Sequence, residues 1–413
     1  MNGNADLQTR AADRTARDLG TITEVSTVRW AEQPNLLWVL VRTSAGATGL
    51  GETYYLPAAV EAVVHDLAAP LLIGQPAGSI KKIWTTLFSC ANFFGFAGAE
   101  MRAISALDIA LWDALGQAAG LPVHQLLGGA FRTSVPAYNT CVNAGPYQDW
   151  DRALEDPAEL AADLMASGYL GMKVWPWDRF APQVEASGST GPAGWTAMGP
   201  PGSYLPPADL AAGLAMLEQA RDSAGTGIEL LIEGHSRWDL NMAIRIARAA
   251  EPLGVLWMED ICQPESAADL ARLVAETRVP QAVSERLISR FPFREVLQRG
   301  AAHVVLVDVA WTGGLTEARR IAELAETYHL PFAPHDCTGP VTALANLHLA
   351  MSMPNCMAIE VVRGFVAGYY RDVLDQPIEI EAGHASLPDR PGLGAALQPG
   401  FADRRGASVR TSS

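Results

Sequence analysis

Three glutamates recur at one interval. Glu233, Glu259 and Glu285 stand 26 residues apart, each closing a short apolar run that reads LLIE, LWME or QAVSE. A βα unit of a closed barrel takes about 30 residues, so this spacing predicts three carboxylates at one height on successive strand ends. Anions converging in a low-dielectric mouth repel one another. A divalent cation relieves that, and an all-oxygen ligand set suits Mg2+ better than Zn2+. Any one of these acids alone reads as a helix N-cap or first-turn carboxylate; three at equal spacing argue for a metal site.

Imidazoles accompany them. In IEGHSRW, His235 follows Glu233 by two positions, and strand alternation predicts one shared face. His335 closes the APH run and Asp308 closes VLVD one unit earlier, so the two fall on neighbouring strands. A carboxylate behind an imidazole orients it and raises its basicity, which suits proton abstraction. His335 taken alone reads equally well as a satisfied buried histidine. Lys173 in MKVW and Glu360 in AIEVV close two further runs.

These groups need a scaffold that brings strand ends together. Eight short apolar candidates begin near Val135: Val135–Cys141, Gly171–Val174, Ile228–Ile232, Val255–Met258, Gln281–Val283, His303–Val307, Phe332–Ala333 and Met357–Ile359. Amphipathic helical patterns separate them, and such alternation predicts an α/β fold closed into a (β/α)8-type barrel. Right-handed crossovers put every strand's C-terminal end on one rim. Residues 21–130 read as an α+β unit: strands Thr21–Trp30 and Leu36–Thr43, a turn over Ser44–Gly51, a strand edge at Glu52–Tyr55, then helices Ala58–Leu72, Ser79–Ser89 and Ala99–Ala119. The expected organisation is a loose tail over 1–20, the α+β domain, a barrel over 131–367, a segment 368–403 folding back on the first domain, and a frayed tail over 404–413. A Gly-, Pro- and Ser-rich insert at 179–207 interrupts the barrel. It reads as a surface excursion or as a loop over the mouth.

The bulk numbers exclude some partners. With 30 basic against 45 acidic residues, the net charge of −15 argues against nucleic acid or an anionic membrane. Five cysteines without CxxC spacing read as reduced thiols, and no apolar run reaches the roughly 18 residues of a membrane helix. The N-terminus has no apolar signal core, so the expectation is a soluble cytoplasmic protein.

The motifs also carry a resemblance. SALDIALWDALGQAAGLPVHQLLGG, the strand ends IEGH, WMED and VSER, and then WTGGLTEARRIAELAE, APHDCTGP and RPGLG follow the order of the enolase superfamily. Within it the chain most resembles the mandelate racemase subgroup and its galactonate- and mannonate-type sugar-acid dehydratases. The resemblance covers about residues 21–400. It implies a modified TIM barrel capped by the N-terminal α+β domain, with Mg2+ on Glu233, Glu259 and Glu285. It further implies a His335–Asp308 dyad, an eighth-strand carboxylate at Glu360, and a dimer or octamer. A hydrogen bond from Glu360 to the substrate carboxylate requires it to be protonated or to share a proton. Racemases of this subgroup carry Lys-x-Lys on the second strand; here Lys173-Val174-Trp175 keeps only the first lysine, and His235 supplies the missing acid–base group. Lys173, Trp175, Arg286, Trp311 and Tyr54 are the expected substrate contacts. The implied reaction is dehydration of an acid sugar to a 2-keto-3-deoxy acid. Epimerisation, racemisation or cycloisomerisation through the same enediolate, and a non-catalytic binding homologue, are the alternatives.

Overall fold

The computed structural model describes residues 19–183 and 199–413. Residues 1–18 of the tail expected over 1–20, and residues 184–198 of the insert expected at 179–207, fall outside the described residues.

The chain opens with an antiparallel meander of β1 (Ile22–Trp30), β2 (Gln33–Thr43) and β3 (Thr48–Tyr54). Apolar side chains from one face of this sheet, among them Val25, Leu37 and Val39, bury against α1 (Ile80–Ala91) and α2 (Ala99–Ala119). The turn is shorter than the sequence suggests, because Gly49 and Gly51 belong to β3. A Cβ built on Gly51 would lie 1.9 Å from the Ala106 carbonyl oxygen, and one on Gly49 would lie 1.8 Å from that of Ala110. These glycines let the backbone of α2 rest directly on the strand.

Eight parallel strands then close a barrel: β4 (Val135–Thr140), β5 (Gly171–Val174), β6 (Glu229–Glu233), β7 (Trp257–Glu259), β8 (Gln281–Val283), β9 (Val304–Val307), β10 (Phe332–Pro334) and β11 (Ile359–Val361). A bridge between Phe332 and Cys356 joins β10 to the chain entering β11, and β11 pairs with β4 to complete the ring. Around it run α3 (Pro157–Ala166), α4 (Pro207–Ala224), α5 (Leu240–Ala250), α6 (Ala267–Glu276), α7 (Arg290–Gln298), α8 (Gly314–Thr327) and α9 (Pro340–Ser352).

The pleat sorts the barrel interior into layers. Tyr138, Leu231, Trp257, Leu306, Ala333 and Ala358 form part of an inner apolar cluster. Two residues further on, pointing the same way, come Thr140, Glu233, Glu259, Asp308, His335 and Glu360. An apolar plug thus underlies a polar layer at the strand ends, and Tyr138 packs edge-on to Trp257 at 5.3 Å beneath it. Helix capping falls to other residues. Asp239 caps α5 and Ser266 caps α6, so Glu233 and Glu259 are not needed as caps.

The C-terminal segment returns to the first domain. A hairpin of β12 (Glu379–Glu381) and β13 (His384–Ser386) pairs with the start of β4, and Phe401 packs edge-on between Trp30 and Trp38. The frayed tail expected at 404–413 is not found: β14 (Ala407–Ser412) pairs antiparallel with β1. Its backbone satisfies an otherwise open sheet edge. Among the described residues no helix is long and apolar enough to cross a membrane.

Candidate active site

Polar strand ends of the barrel and cap residues enclose a cavity of about 530 Å³. At its floor the Lys173 ammonium is almost fully buried, 2.7 Å from Glu259 and from Glu360 and 3.3 Å from Glu233. The expectation that Lys173 reaches the substrate therefore meets a lysine already held by three carboxylates. Burial favours its neutral form, yet Glu259 and Glu360 outweigh that and keep it charged.

Glu233 and Glu259 are register partners on β6 and β7, at one height as expected. Glu285 is not: Glu259 pairs with Ala282, so Glu285 lies three residues beyond that register, past the end of β8. Equal sequence spacing here conceals an offset. One carboxylate oxygen of Glu285 is buried without a partner, as is one of Asp260. Burial and then Glu233 push Glu259 up, and burial and then Glu285 raise Asp260. Among the described residues no three His, Cys, Asp or Glu side chains close on a common metal position. In donor chemistry the site nevertheless fits a hard dication, with buried oxygens, excess negative charge and an orphan Glu285 oxygen.

Two imidazole–carboxylate pairs face this floor. His335 Nδ1 lies 2.8 Å from Asp308 Oδ2, while Asp308 Oδ1 accepts the Ala310 amide at 2.7 Å. The sequence anticipates this pair. Burial works against a charged His335, but Glu360, Cys337 and Asp308 raise it well above the ordinary histidine range. His235 Nδ1 meets Asp178 Oδ2 at 2.5 Å, a partner the sequence reading missed because Asp178 sits on the irregular stretch after β5. Burial again opposes the charge, and Glu233 with Asp178 raises His235 to about 9. His235 reaches the cavity by a turn, not by the pleat. The strand ends at Glu233, and His235 and Ser236 take φ of 44° and 57°. Glu233 Oε1 accepts the amides of Gly234 and His235 at 3.1 and 2.7 Å, which holds that turn.

Glu360 differs from the sequence expectation of an acid that is protonated or shares a proton. Burial would raise it, but Lys173 and His335 prevail and hold it down at about 2. One oxygen takes Lys173 and the Thr140 hydroxyl, and the other takes the Asp336 amide at 3.0 Å. It is an ionised anchor for the cationic groups.

Of the expected substrate contacts, Trp175, Arg286 and Trp311 line the cavity, with Trp175 stacked on Trp150 at 4.3 Å. Arg286 also pairs with Glu265 in a solvent-exposed bridge. Tyr54 does not face the cavity. Its hydroxyl accepts from Asn35, and its neighbour Tyr55, at φ 70°, forms the wall instead. Sequence reasoning also missed Arg102, on α2, and Cys337, whose sulfur lies 3.7 Å from His335 Nε2. The CTGP run after APHD was the only signal for the latter.

Comparison with known proteins agrees with this layout. Residues 12–128 match the family described as mandelate racemase / muconate lactonizing enzyme, N-terminal domain, and residues 156–400 match enolase C-terminal domain-like. A D-galactonate dehydratase of Pectobacterium atrosepticum is 31% identical over 383 residues, covering 91% of this chain and 92% of its own. An arabinonate dehydratase of Saccharolobus solfataricus is 29% identical over 374 residues, covering 90% of each. Among solved structures, an enolase of the mandelate racemase subgroup from Agrobacterium tumefaciens aligns with a TM-score of 0.84 at 40% identity, over 95% of this chain and 98% of its own.

Proposed function

The chain belongs to the mandelate racemase / muconate lactonizing enzyme family of the enolase superfamily, and from that premise we propose that it is a Mg2+-dependent acid-sugar dehydratase. It would remove the proton α to a carboxylate and eliminate the β-hydroxyl. The observation that carries this reading is the pair of carboxylate-backed imidazoles, His335–Asp308 and His235–Asp178, lining one cavity. The named dehydratases among its relatives support the same chemistry.

A proton α to a carboxylate is too weak an acid for a side chain to remove unaided. Glu233, Glu259 and Glu285 are the residues that would hold Mg2+, which would supply positive charge for the substrate carboxylate. The remaining work belongs to the chain. Asp308 fixes the His335 ring through Nδ1, so Nε2 is the nitrogen that takes the proton when the ring is neutral; a dication on the glutamates would offset the carboxylate charge that otherwise favours the protonated ring. The electron pair of the broken C–H bond forms the C2–C3 double bond and expels the β-hydroxyl. His235, raised to about 9, carries a proton at neutral pH and delivers it to the departing oxygen, which leaves as water. The resulting enol takes a proton at C3 as its C2 hydroxyl gives one up, and becomes a 2-keto-3-deoxy acid. Each proton-transfer group contributes about 10²–10⁴-fold.

A screen of mono- and diacid sugars with Mg2+, read as keto-acid formation, tests this. Product from at least one acid is expected, and none across all stereoisomers overturns it. The two imidazoles also favour a second reading, 1,1-proton transfer (epimerisation). In D2O that reaction washes deuterium into recovered substrate without forming keto acid.

A further inference from the structure

One cation of the cavity wall has no carboxylate at ion-pair distance among the described residues. Arg102, in the first turn of α2, projects from the cap into the cavity wall. Its guanidinium lies 4.3 Å from the ring of Trp311 and 5.7 Å from that of Tyr55, and one nitrogen donates to the Tyr54 carbonyl at 2.7 Å. Among the described residues no carboxylate comes within ion-pair distance of it. Arg363 shows the usual solution for a buried arginine in this chain, with Asp149 at 2.5 and 2.6 Å and Asp163 at 3.0 Å. A guanidinium has five donors in a planar fork, and Arg102 spends one on a protein oxygen. The aromatic rings fix the plane of the fork and add cation–π attraction without neutralising its charge.

Its position says which part of a ligand it meets. Trp311 bridges Arg102 to the proton-transfer layer, its ring 5.1 Å from that of His335. Of the cavity's cationic groups, Lys173 at the barrel floor is already neutralised by three glutamates, while Arg102 at the cap end feels the charge of Asp308 only from beyond ion-pair distance. Resting on the reading of the site as an acid-sugar dehydratase, we infer that the substrate is a sugar diacid, its second carboxylate gripped by Arg102 while the first lies over the glutamate layer. A carboxylate matches the free edge of the fork bidentately. Arg237 is the competing candidate. It also lines the cavity with no carboxylate partner among the described residues, but it donates to the Pro182 carbonyl at 2.5 Å, next to His235.

The test measures binding and turnover separately, on the full chain with Mg2+. Six-carbon sugar diacids are compared with the monoacids of matching stereochemistry and with their 6-phosphates, in the wild type, Arg102→Met, Arg102→Lys and Arg237→Met. The wild type is expected to bind its diacid about 10–100-fold more tightly than the matching monoacid. Arg102→Met should lose about that factor on the diacid and much less on the monoacid, and Arg102→Lys should recover part of it. An unchanged melting temperature in Arg102→Lys separates this from misfolding. Equal binding of diacid and monoacid, or equal losses on both in Arg102→Met, overturns the inference and leaves the dehydratase reading standing. A preference for the 6-phosphate, or a larger loss in Arg237→Met, overturns the assignment of a carboxylate to Arg102. Diacid-selective binding that depends on Arg102 but gives no keto acid supports the anion site while overturning the dehydratase reading.

Discussion

The Nδ1 of His235 and the Oδ2 of Asp178 lie 2.5 Å apart, on the opposite arm of the cavity from the His335–Asp308 pair at 2.8 Å. Each imidazole therefore has its Nδ1 engaged by a carboxylate that orients its ring. The two pairs differ in support. Asp308 closes strand β9 and is itself fixed by the Ala310 amide, whereas Asp178 sits in a short 3-10 turn just before the insert.

Removing Asp178 should separate the two half-reactions. In Asp178→Ala, His235 loses the carboxylate that orients its ring and helps to keep it protonated, so delivery of a proton to the β-hydroxyl should slow by about 10–100-fold. Exchange of the α-proton, which needs only His335, should fall far less. Keto-acid formation and deuterium wash-in are measured side by side. Equal loss of both would mean that Asp178 supports the whole site and not His235 in particular.

His335→Asn should give the complementary result. The amide keeps much of the shape and can still bond to Asp308, but it cannot take a proton at the substrate-facing atom. Wash-in of deuterium and keto-acid formation should both fall by about 10²–10⁴-fold. Undiminished exchange would transfer the base role to His235. Glu259→Gln belongs beside it: with one oxygen donor of the proposed Mg2+ set gone, turnover should no longer respond to Mg2+. Retained Mg2+-dependent turnover in that variant would remove Glu259 from the set.

Much of the barrel was legible because its periodicities are strong. All eight strands lie within a few residues of their expected positions, since each is a buried apolar run with helical pattern on either side. Glu233, Glu259, Asp308, His335 and Glu360 were legible for the same reason, being the polar residues that end those runs. What failed were features set by backbone geometry or by packing between distant segments. The offset of Glu285 depends on where β8 stops, and the placing of His235 depends on two successive residues at positive φ. Neither leaves a periodic trace. Arg102 and Tyr55 enter the cavity only because α2 and the end of β3 lie over the barrel, a long-range contact that local pattern does not encode.

The two glycines of β3 show the same limit and make a prediction. In sequence, Gly49 and Gly51 look like turn residues; in the fold they are the contact surface for α2. Gly51→Ala puts a methyl group against the Ala106 carbonyl, and the obstacle is backbone that cannot rotate away. A loss of about 2–3 kcal/mol is expected, read from denaturant midpoints. Wild-type stability in this variant would mean that the helix can lift off the strand at little cost.

Asp108 predicts how the junction between cap and barrel responds to pH. It lies on α2, and its Oδ2 accepts the Thr316 amide at 2.9 Å in the first turn of α8, so one domain caps a helix of the other. Its second oxygen is buried without a partner. Burial, only partly offset by the Thr316 bonds, pushes its pKa from 3.8 to about 7. The folded protein thus keeps a proton that the unfolded chain has already released. This contribution to stability is whole below about pH 4, declines as pH climbs towards 7, and is constant above that. Asp108→Asn keeps the carbonyl that accepts from Thr316 and removes the titration. It gives up some attraction to the helix N-terminus, about 0.3–1 kcal/mol, against a buried-charge cost that is larger at high pH. The variant should therefore gain on the wild type by about 1–3 kcal/mol between pH 5 and pH 8. Melting temperatures measured for both proteins across that range check the sign: a wild type that gains on Asp108→Asn as pH rises would show that the carboxylate is ionised in the fold and that its hydrogen bonds outweigh burial.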